Sequence, residues 1–225
     1  MKIKIKVPSD LSEITLYDYQ RYMNVIDNSN DELFIAQKTV SIFCNISLQQ
    51  TLQININDIY SIVEHLKDVF NSKPSLQQRI TFKGHDLGFI PKLDDISLGE
   101  LIDLSNSIND VQKLHIAMGV LYRPVKAKFK DMYEIEDYNA DEGIMEVMKS
   151  LPLDVVFGAM LFFYHLANDL LKAIPKYLKE RVTEMSTHSK HNSEVNGDGI
   201  TQSIDLLTEM LQDLTLLPSY LQQNA

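Results

Sequence analysis

Six histidines include the side chains of this sequence best suited to metal binding or proton transfer. His188 and His191 have the spacing of one helical turn, which could serve a metal, but they lie in a polar segment without periodicity. A solvated loop is favoured there. His165 stands inside an apolar run, where a hydrogen-bonded core histidine is favoured over a proton-transfer role. The histidines therefore predict no site.

An acidic cluster is the second group of residues that could do chemistry, as a cation site. Its members are Glu134, Glu136, Asp137, Asp141 and Glu142. The cluster lacks the alternating acid and glycine spacing of an EF-hand loop. The stretch NGDG at 196–199 resembles part of such a loop, but no run of carboxylates precedes it. We therefore expect no bound metal.

The remaining motifs and the composition exclude several further classes of function. The sequence has no phosphate-binding loop, dinucleotide fingerprint, nucleophile elbow or HExxH motif. Cys44 is the only cysteine, so it can form neither an internal disulfide nor a cysteine zinc site. The net charge of −10 argues against nonspecific nucleic-acid binding, which needs clustered lysine and arginine. We expect a non-enzymatic protein with no cofactor and no nucleic-acid or small-molecule partner.

The longest apolar run lies within residues 151–181, LPLDVVFGAMLFFYHLANDLLKAIPKYLKER. No side chain from Val155 to Phe163 is polar, so a helix there is apolar on all sides and should be buried. The run is shorter than the about 20 apolar residues that cross a bilayer, so no membrane partner is expected. Ser150 is the candidate N-cap, and Pro175 is expected to end or kink the helix.

The rest of the chain is predicted to surround this helix. Periodicity and turn residues predict a strand over 2–7, helices over 31–44, from 57 and over 110–122, and hairpins near 78–90 and 125–137. Thr15 and Asp18 resemble a capping box that starts one further helix. In the second hairpin, lysines on one strand are expected to pair with acidic residues on the other. The predicted fold class is α+β, mainly α: a helical domain around a central buried helix with small β-hairpins.

The amino-acid composition changes after residue 181, at the end of the segment 151–181 that contains the longest apolar run. The core domain is expected over 1–182, followed by a flexible polar loop over 183–199 and an amphipathic helix over 200–217. The apolar residues of this helix are spaced four, three, four and three apart; they are Ile200, Ile204, Leu207, Leu211 and Leu214. Such a seam can bind a partner or fold back on its own core, and periodicity does not separate the two.

Four stretches carry a resemblance to a known family: VPSDLSEITLYDYQRYMNV, GFIPKLDDISLGELIDL, IAMGVLYRPV and LPLDVVFGAMLFFYHLANDLL. Together they resemble a family of tailed-bacteriophage proteins, either virion structural or tail-assembly-chaperone-like components, over about Lys4 to Leu217. The resemblance lies in no catalytic motif, so it transfers no site residues. It implies a morphogenesis protein that contacts other phage structural proteins or further copies of itself.

Three functional hypotheses stay open at this point. A virion structural component, or a packaged protein, would remain in the mature particle. A tail-assembly chaperone would bind through the face Ile200–Leu214 and be absent from mature virions. The third and least favoured hypothesis is a metal-dependent enzyme that uses His165 or the acidic hairpin. The N-terminal stretch MKIKIKVPSD lacks the apolar core of a secretory signal, so the virion or the host cytoplasm is the expected location.

Overall fold

The computed structural model describes residues 4–93, 96–130, 132–166 and 168–169. Seven helices with both ends inside these ranges are α1 Leu16–Asn28, α2 Glu32–Phe43, α3 Leu48–Thr51, α4 Ile56–Phe70, α5 Leu98–Ser107, α6 Leu114–Leu121 and α7 Glu142–Met148. The strands are β1 Arg79–Phe82, β2 His85–Phe89, β3 Tyr122–Phe129 and β4 Met132–Ile135. A further helix, α8, begins at residue 153. The fold is α+β and mainly α, as predicted.

The chain divides into two compact units, Met1–Ala159 and Met160–Ala225. All of the elements that are bounded above lie in the first unit. In the second unit, residues 160–166 and 168–169 are helical. The predicted loop over 183–199 and the predicted helix over 200–217 lie outside the described residues. None of the helices in the described ranges is long and apolar enough to span a membrane.

Local capping explains where the helices begin. The Thr15 hydroxyl accepts a hydrogen bond from the Asp18 amide at 3.2 Å and donates one to the Asp18 carboxylate at 2.6 Å. The first bond satisfies an amide that the first helical turn leaves free, so the predicted start of α1 is confirmed. The second bond joins two side chains, so the predicted box is only half formed. Ser97 and Glu100 form a full reciprocal capping box at the start of α5.

The predicted strand over 2–7 is wrong for its described residues, because residues 4–9 form no regular secondary structure. The alternation itself is real, since Ile5 and Val7 are half-buried while Lys4 and Lys6 are exposed. Ile5 and Val7 pack against a buried cluster of Ala36, Val40, Cys44 and Ile59. An extended chain on a helical surface therefore produces the same period of two as a strand in a sheet.

The predicted helix over 110–122 is shorter than expected. Residues Val111–Lys113 form a 3-10 turn capped by Asp110, and α6 begins at Leu114. The predicted stop at its C-terminal end is confirmed, because α6 ends at Leu121 and the chain continues directly into β3. Pro124 explains this stop, since the residue before a proline is disfavoured in a helix.

Both predicted hairpins are confirmed, and they join in one antiparallel sheet in the order β1-β2-β3-β4. Strands β1 and β2 meet at a tight turn in which Phe82 pairs with His85. The two residues between them, Lys83 and Gly84, have φ angles of 48° and 81°. Positive φ at both positions fits the right-handed twist of a hairpin, and glycine takes it without strain.

The helix α8 is the buried central helix that the sequence predicts. Within the first unit every residue from 153 to 159 except Asp154 is buried. Two backbone bonds hold its start: Leu16 N–H donates to Leu151 O, and Leu153 N–H donates to Ile14 O, each at 2.9 Å. Ser150 is not the cap, because the helix begins only at residue 153 and Pro152 O accepts the amide of Val155 at 3.2 Å.

His165 does not lie in a core. Beyond residue 159, the buried positions among the described residues are Met160 and Phe163, which share one side of a helix. His165 falls off that side and is exposed, with its ring edge-on to Tyr164 at 5.6 Å. The prediction of a hydrogen-bonded core histidine is therefore wrong, because the helix is buried on all sides only in its first part.

Candidate protein-interaction surface

The second hairpin extends past the strand that holds its base. Pairing between β2 and β3 ends at Pro124, whereas β3 continues to Phe129. We call residues Val125–Phe129 and Met132–Ile135 the arm. Lys128 lies opposite Tyr133 and Ala127 opposite Glu134, with a bulge between Val125 and Ala127. The expected pairing of lysines with acidic residues is therefore wrong, although the hairpin itself is present.

A buried ion pair anchors the base of the arm to helix α5. Arg123 Nη2 lies 2.7 Å from Glu100 Oε1, and the two side chains are 13% and 7% exposed. Glu100 also accepts the Ser97 amide at 2.7 Å as part of the capping box. Burial raises the pKa of Glu100, but the hydrogen bonds from Ser97 and the charge of Arg123 outweigh it, so the pKa is lowered.

Tyr138, which follows β4, fixes the other end of the arm to the same helix. Its hydroxyl donates to Asp103 Oδ2 at 2.6 Å, one helical turn beyond Glu100. Burial raises the pKa of Tyr138, and the hydrogen bond to Asp103 raises it further. The phenol is therefore held as a donor at neutral pH. Both ends of the arm are therefore bound to acidic residues of α5.

Tyr133 ties the arm across the sheet. A Cβ placed on Gly88 of β2 would lie 2.4 Å from Tyr133 Cε2, so only glycine leaves room for this ring. The single proton of the Tyr133 hydroxyl is shared between two carbonyl oxygens, Phe89 O at 2.7 Å and Gln78 O at 3.1 Å. Burial raises the pKa of Tyr133. These contacts fix the orientation of β4 over the first hairpin.

Asp86 links the arm to the first hairpin through its charge. Its Oδ2 atom accepts a hydrogen bond from Arg79 of β1 at 3.2 Å and contacts Lys128 Nζ of β3. Such partly exposed ion pairs contribute about 0–1 kcal/mol each. Their role here is mainly to fix the orientation of the arm relative to the first hairpin, because one carboxylate of β2 contacts side chains of both β1 and β3.

The end of the arm carries apolar side chains in water. Phe129 and Met132 lie directly opposite each other, and they are 66% and 69% exposed. Lys130 Nζ lies 5.7 Å from the centre of the Phe129 ring, and Lys126 is exposed. The arm is therefore anchored at its base and presents an apolar pair at its tip, with Lys130 beside the pair and Lys126 nearer the base. Exposed apolar side chains of this kind mark interaction sites when they form a patch.

A second exposed apolar stripe runs along helices α3 and α4. Its members are Leu48 in α3, Leu52 directly after that helix, and Ile56 and Tyr60, which lie one helical turn apart in α4. Sequence reasoning missed this stripe and the tip of the arm. In both places the apolar residues follow the period of a buried face, so only the structure shows that they are exposed.

The acidic cluster is spread over two elements and a connection. Glu134 belongs to β4, and Glu136 and Asp137 follow that strand. Asp141 caps α7, accepting the amides of Gly143 at 2.7 Å and Ile144 at 3.3 Å. In the part of the chain that the structure describes, no three His, Cys, Asp or Glu side chains come together as a metal site.

Burial raises the pKa of Cys44 to about 11.

The predicted partner-binding seam lies outside the described residues. It consists of Ile200, Ile204, Leu207, Leu211 and Leu214. The same holds for His188, His191, Pro175 and the stretch 196–199. These predictions stay predictions.

Three comparisons with known proteins find no match for this chain. No family model matches the chain, and neither a curated protein nor a solved structure is similar to it. The candidate surface therefore has to be interpreted from its own geometry.

Proposed function

We propose that this chain is a non-enzymatic bacteriophage morphogenesis protein, a virion structural component or packaged protein, that works through protein–protein contacts. The observation that carries the contact role is the arm, anchored at its base and apolar at its tip. The bacteriophage assignment comes from the resemblance of the four sequence stretches, and it places the protein in the virion or the host cytoplasm. Other phage structural proteins are the proposed partners.

Anchoring supports this role because it lowers the cost of binding. A flexible hairpin loses conformational freedom when a partner orders it, whereas a preordered one does not. The Arg123–Glu100 pair, the Tyr138–Asp103 bond and the Tyr133 contacts fix the arm before any partner arrives. Exposing Phe129 and Met132 to water has a cost that a partner surface would relieve.

Quantitative mass spectrometry of purified particles tests the proposal. A virion component should be present at a fixed number of copies per particle, with the same ratio after further purification. If the protein is required for particle formation but missing from mature virions, it acts as a tail-assembly chaperone instead. Both forms are refuted if particles form normally in a phage that lacks the gene and if wild-type particles contain none of its product.

A pair of variants connects this test to the arm. In a phage that lacks the gene, the wild-type chain should restore infective particles, and the double variant Phe129→Asp with Met132→Asp should not. Leu33→Asp is the matched control, because Leu33 is an apolar residue that is 46% exposed and lies outside both exposed apolar groups described above. Equal restoration by the wild-type chain and the arm variant would remove the arm from the proposed function.

A further inference from the structure

The charges of the second hairpin and of the helix that follows it are segregated along the chain. Residues 126–130, KAKFK, contain three lysines. Residues 132–148, MYEIEDYNADEGIMEVM, contain six acidic side chains and no lysine or arginine. A basic stretch with an apolar tip is therefore followed directly by an acidic stretch.

The arm defines what its partner must look like. Phe129 and Met132 need an apolar patch that excludes water from both side chains. Lys130, beside the pair, and Lys126, nearer the base of the arm, need carboxylates around that patch, where they would pair without being fully desolvated. The complement of the arm is therefore an exposed apolar pair bordered by acidic residues.

Helix α7 of the same chain presents such a complement. Ile144 and Val147, one helical turn apart, are 41% and 43% exposed. Glu142 and Glu146 are exposed on the same helix. The opposite side of α7 carries Met145 and Met148, which are buried. We call Glu142, Ile144, Glu146 and Val147 the α7 surface. Of its two carboxylates, Glu146 already pairs with Lys149 at 2.6 Å, so Glu142 is the better partner for an arm lysine.

We propose that the arm of one copy docks on the α7 surface of a second copy, a contact that rests on the contact role proposed above. In one copy the tip residues and the α7 surface are all exposed, so neither covers the other. Docking of arm on arm would place lysines against lysines, and like charges disfavour it. The contact is therefore head-to-tail, and its repetition gives a ring or an open chain of copies.

Sedimentation of the purified full-length chain tests this contact. The wild-type chain should associate, with a weight-average mass that rises with concentration. Phe129→Asp with Met132→Asp (the arm variant) and Ile144→Asp with Val147→Asp (the α7 variant) should each weaken association about 30-fold or more, as expected for central contact residues. Leu33→Asp, at an exposed apolar position outside both surfaces, should associate like the wild type. Circular dichroism and urea unfolding show that each variant is folded.

Mixing the two variants separates a head-to-tail contact from other ways of associating. The arm variant keeps an intact α7 surface, and the α7 variant keeps an intact arm. An equimolar mixture should therefore form a one-to-one dimer that grows no further. A mixture that stays monomeric, or single variants that associate as the wild type does, would overturn the inference.

Charge reversal provides a second route if the aspartate variants do not fold. Lys126→Glu with Lys130→Glu changes only exposed residues and should weaken association, and Glu142→Lys in the partner copy should restore part of it. Association that is unaffected by the reversal would overturn the charge pairing. A wild-type chain that is monomeric at all concentrations overturns this inference alone, because the particle measurement tests the proposed function independently.

Discussion

Arg123 and Glu100 form an ion pair of 2.7 Å between strand β3 and helix α5, and both side chains are almost completely buried. Breaking a buried pair leaves the remaining charge in a medium that solvates it poorly, which typically costs about 3–5 kcal/mol. We therefore expect Arg123→Ala to lower the free energy of unfolding by about 3 kcal/mol, measured by urea unfolding. Lys126→Ala, at an exposed position further along the same strand, is the control and should change it by less than about 0.5 kcal/mol.

The same pair makes stability depend on pH. The pKa of Glu100 in the folded protein lies below its ordinary value of 4.5. The ionised Glu100 side chain therefore stabilises the fold at pH values above 4.5, and this stabilisation is lost as the pH falls through the lowered pKa. In urea unfolding from pH 7 to pH 3, we expect Glu100→Gln to lose less stability on acidification than the wild type. Parallel curves for the two proteins would contradict this prediction.

Gly88 and Tyr133 provide a prediction about packing. Gly88→Ala would bring a methyl group to 2.4 Å from the Tyr133 ring and 3.0 Å from Ile135 Cγ2, so the ring has to move away from its two carbonyl partners. We expect a loss of about 1–3 kcal/mol in the free energy of unfolding, the usual cost of overpacking. In a Tyr133→Ala background the same substitution should cost much less.

Gly99→Ala is the matched control for this glycine. Gly99 lies in the first turn of α5, and nothing lies within 4 Å of a Cβ placed on it. Alanine is the better helix former by up to about 1 kcal/mol, so this variant should be as stable as the wild type or more stable. Equal losses at Gly88 and Gly99 would show that the Tyr133 contact is not the cause.

Elements with a local cause could be predicted from the sequence. The Thr15 cap, the turn at Lys83 and Gly84, and the stop before Pro124 each depend on a few neighbouring residues. The buried helix α8 was equally visible, because no polar face interrupts its first part. Patterns of this kind record the physical requirement of an element directly.

The arm shows why the rest could not be predicted. Its anchors join residues far apart in sequence, such as Tyr133 with Gln78 and Tyr138 with Asp103. No local pattern marks a tyrosine as the one that crosses a sheet. The strand predicted over residues 2–7 is wrong for a different reason. The local alternation of Ile5 and Val7 is real, but it does not reveal whether a second strand pairs with them.

The C-terminal seam gives a prediction that depends on the sequence alone. Leu207 and Leu211 are four residues apart at the centre of the predicted seam, so two aspartates there would remove its apolar character. If the seam binds a partner, Leu207→Asp with Leu211→Asp should abolish that binding while urea unfolding of the chain stays unchanged. If the seam instead covers its own core, the variant should unfold at lower urea than the wild type. Gln202→Asp with Gln212→Asp, at polar positions of the same segment, adds the same charge and should change neither measurement.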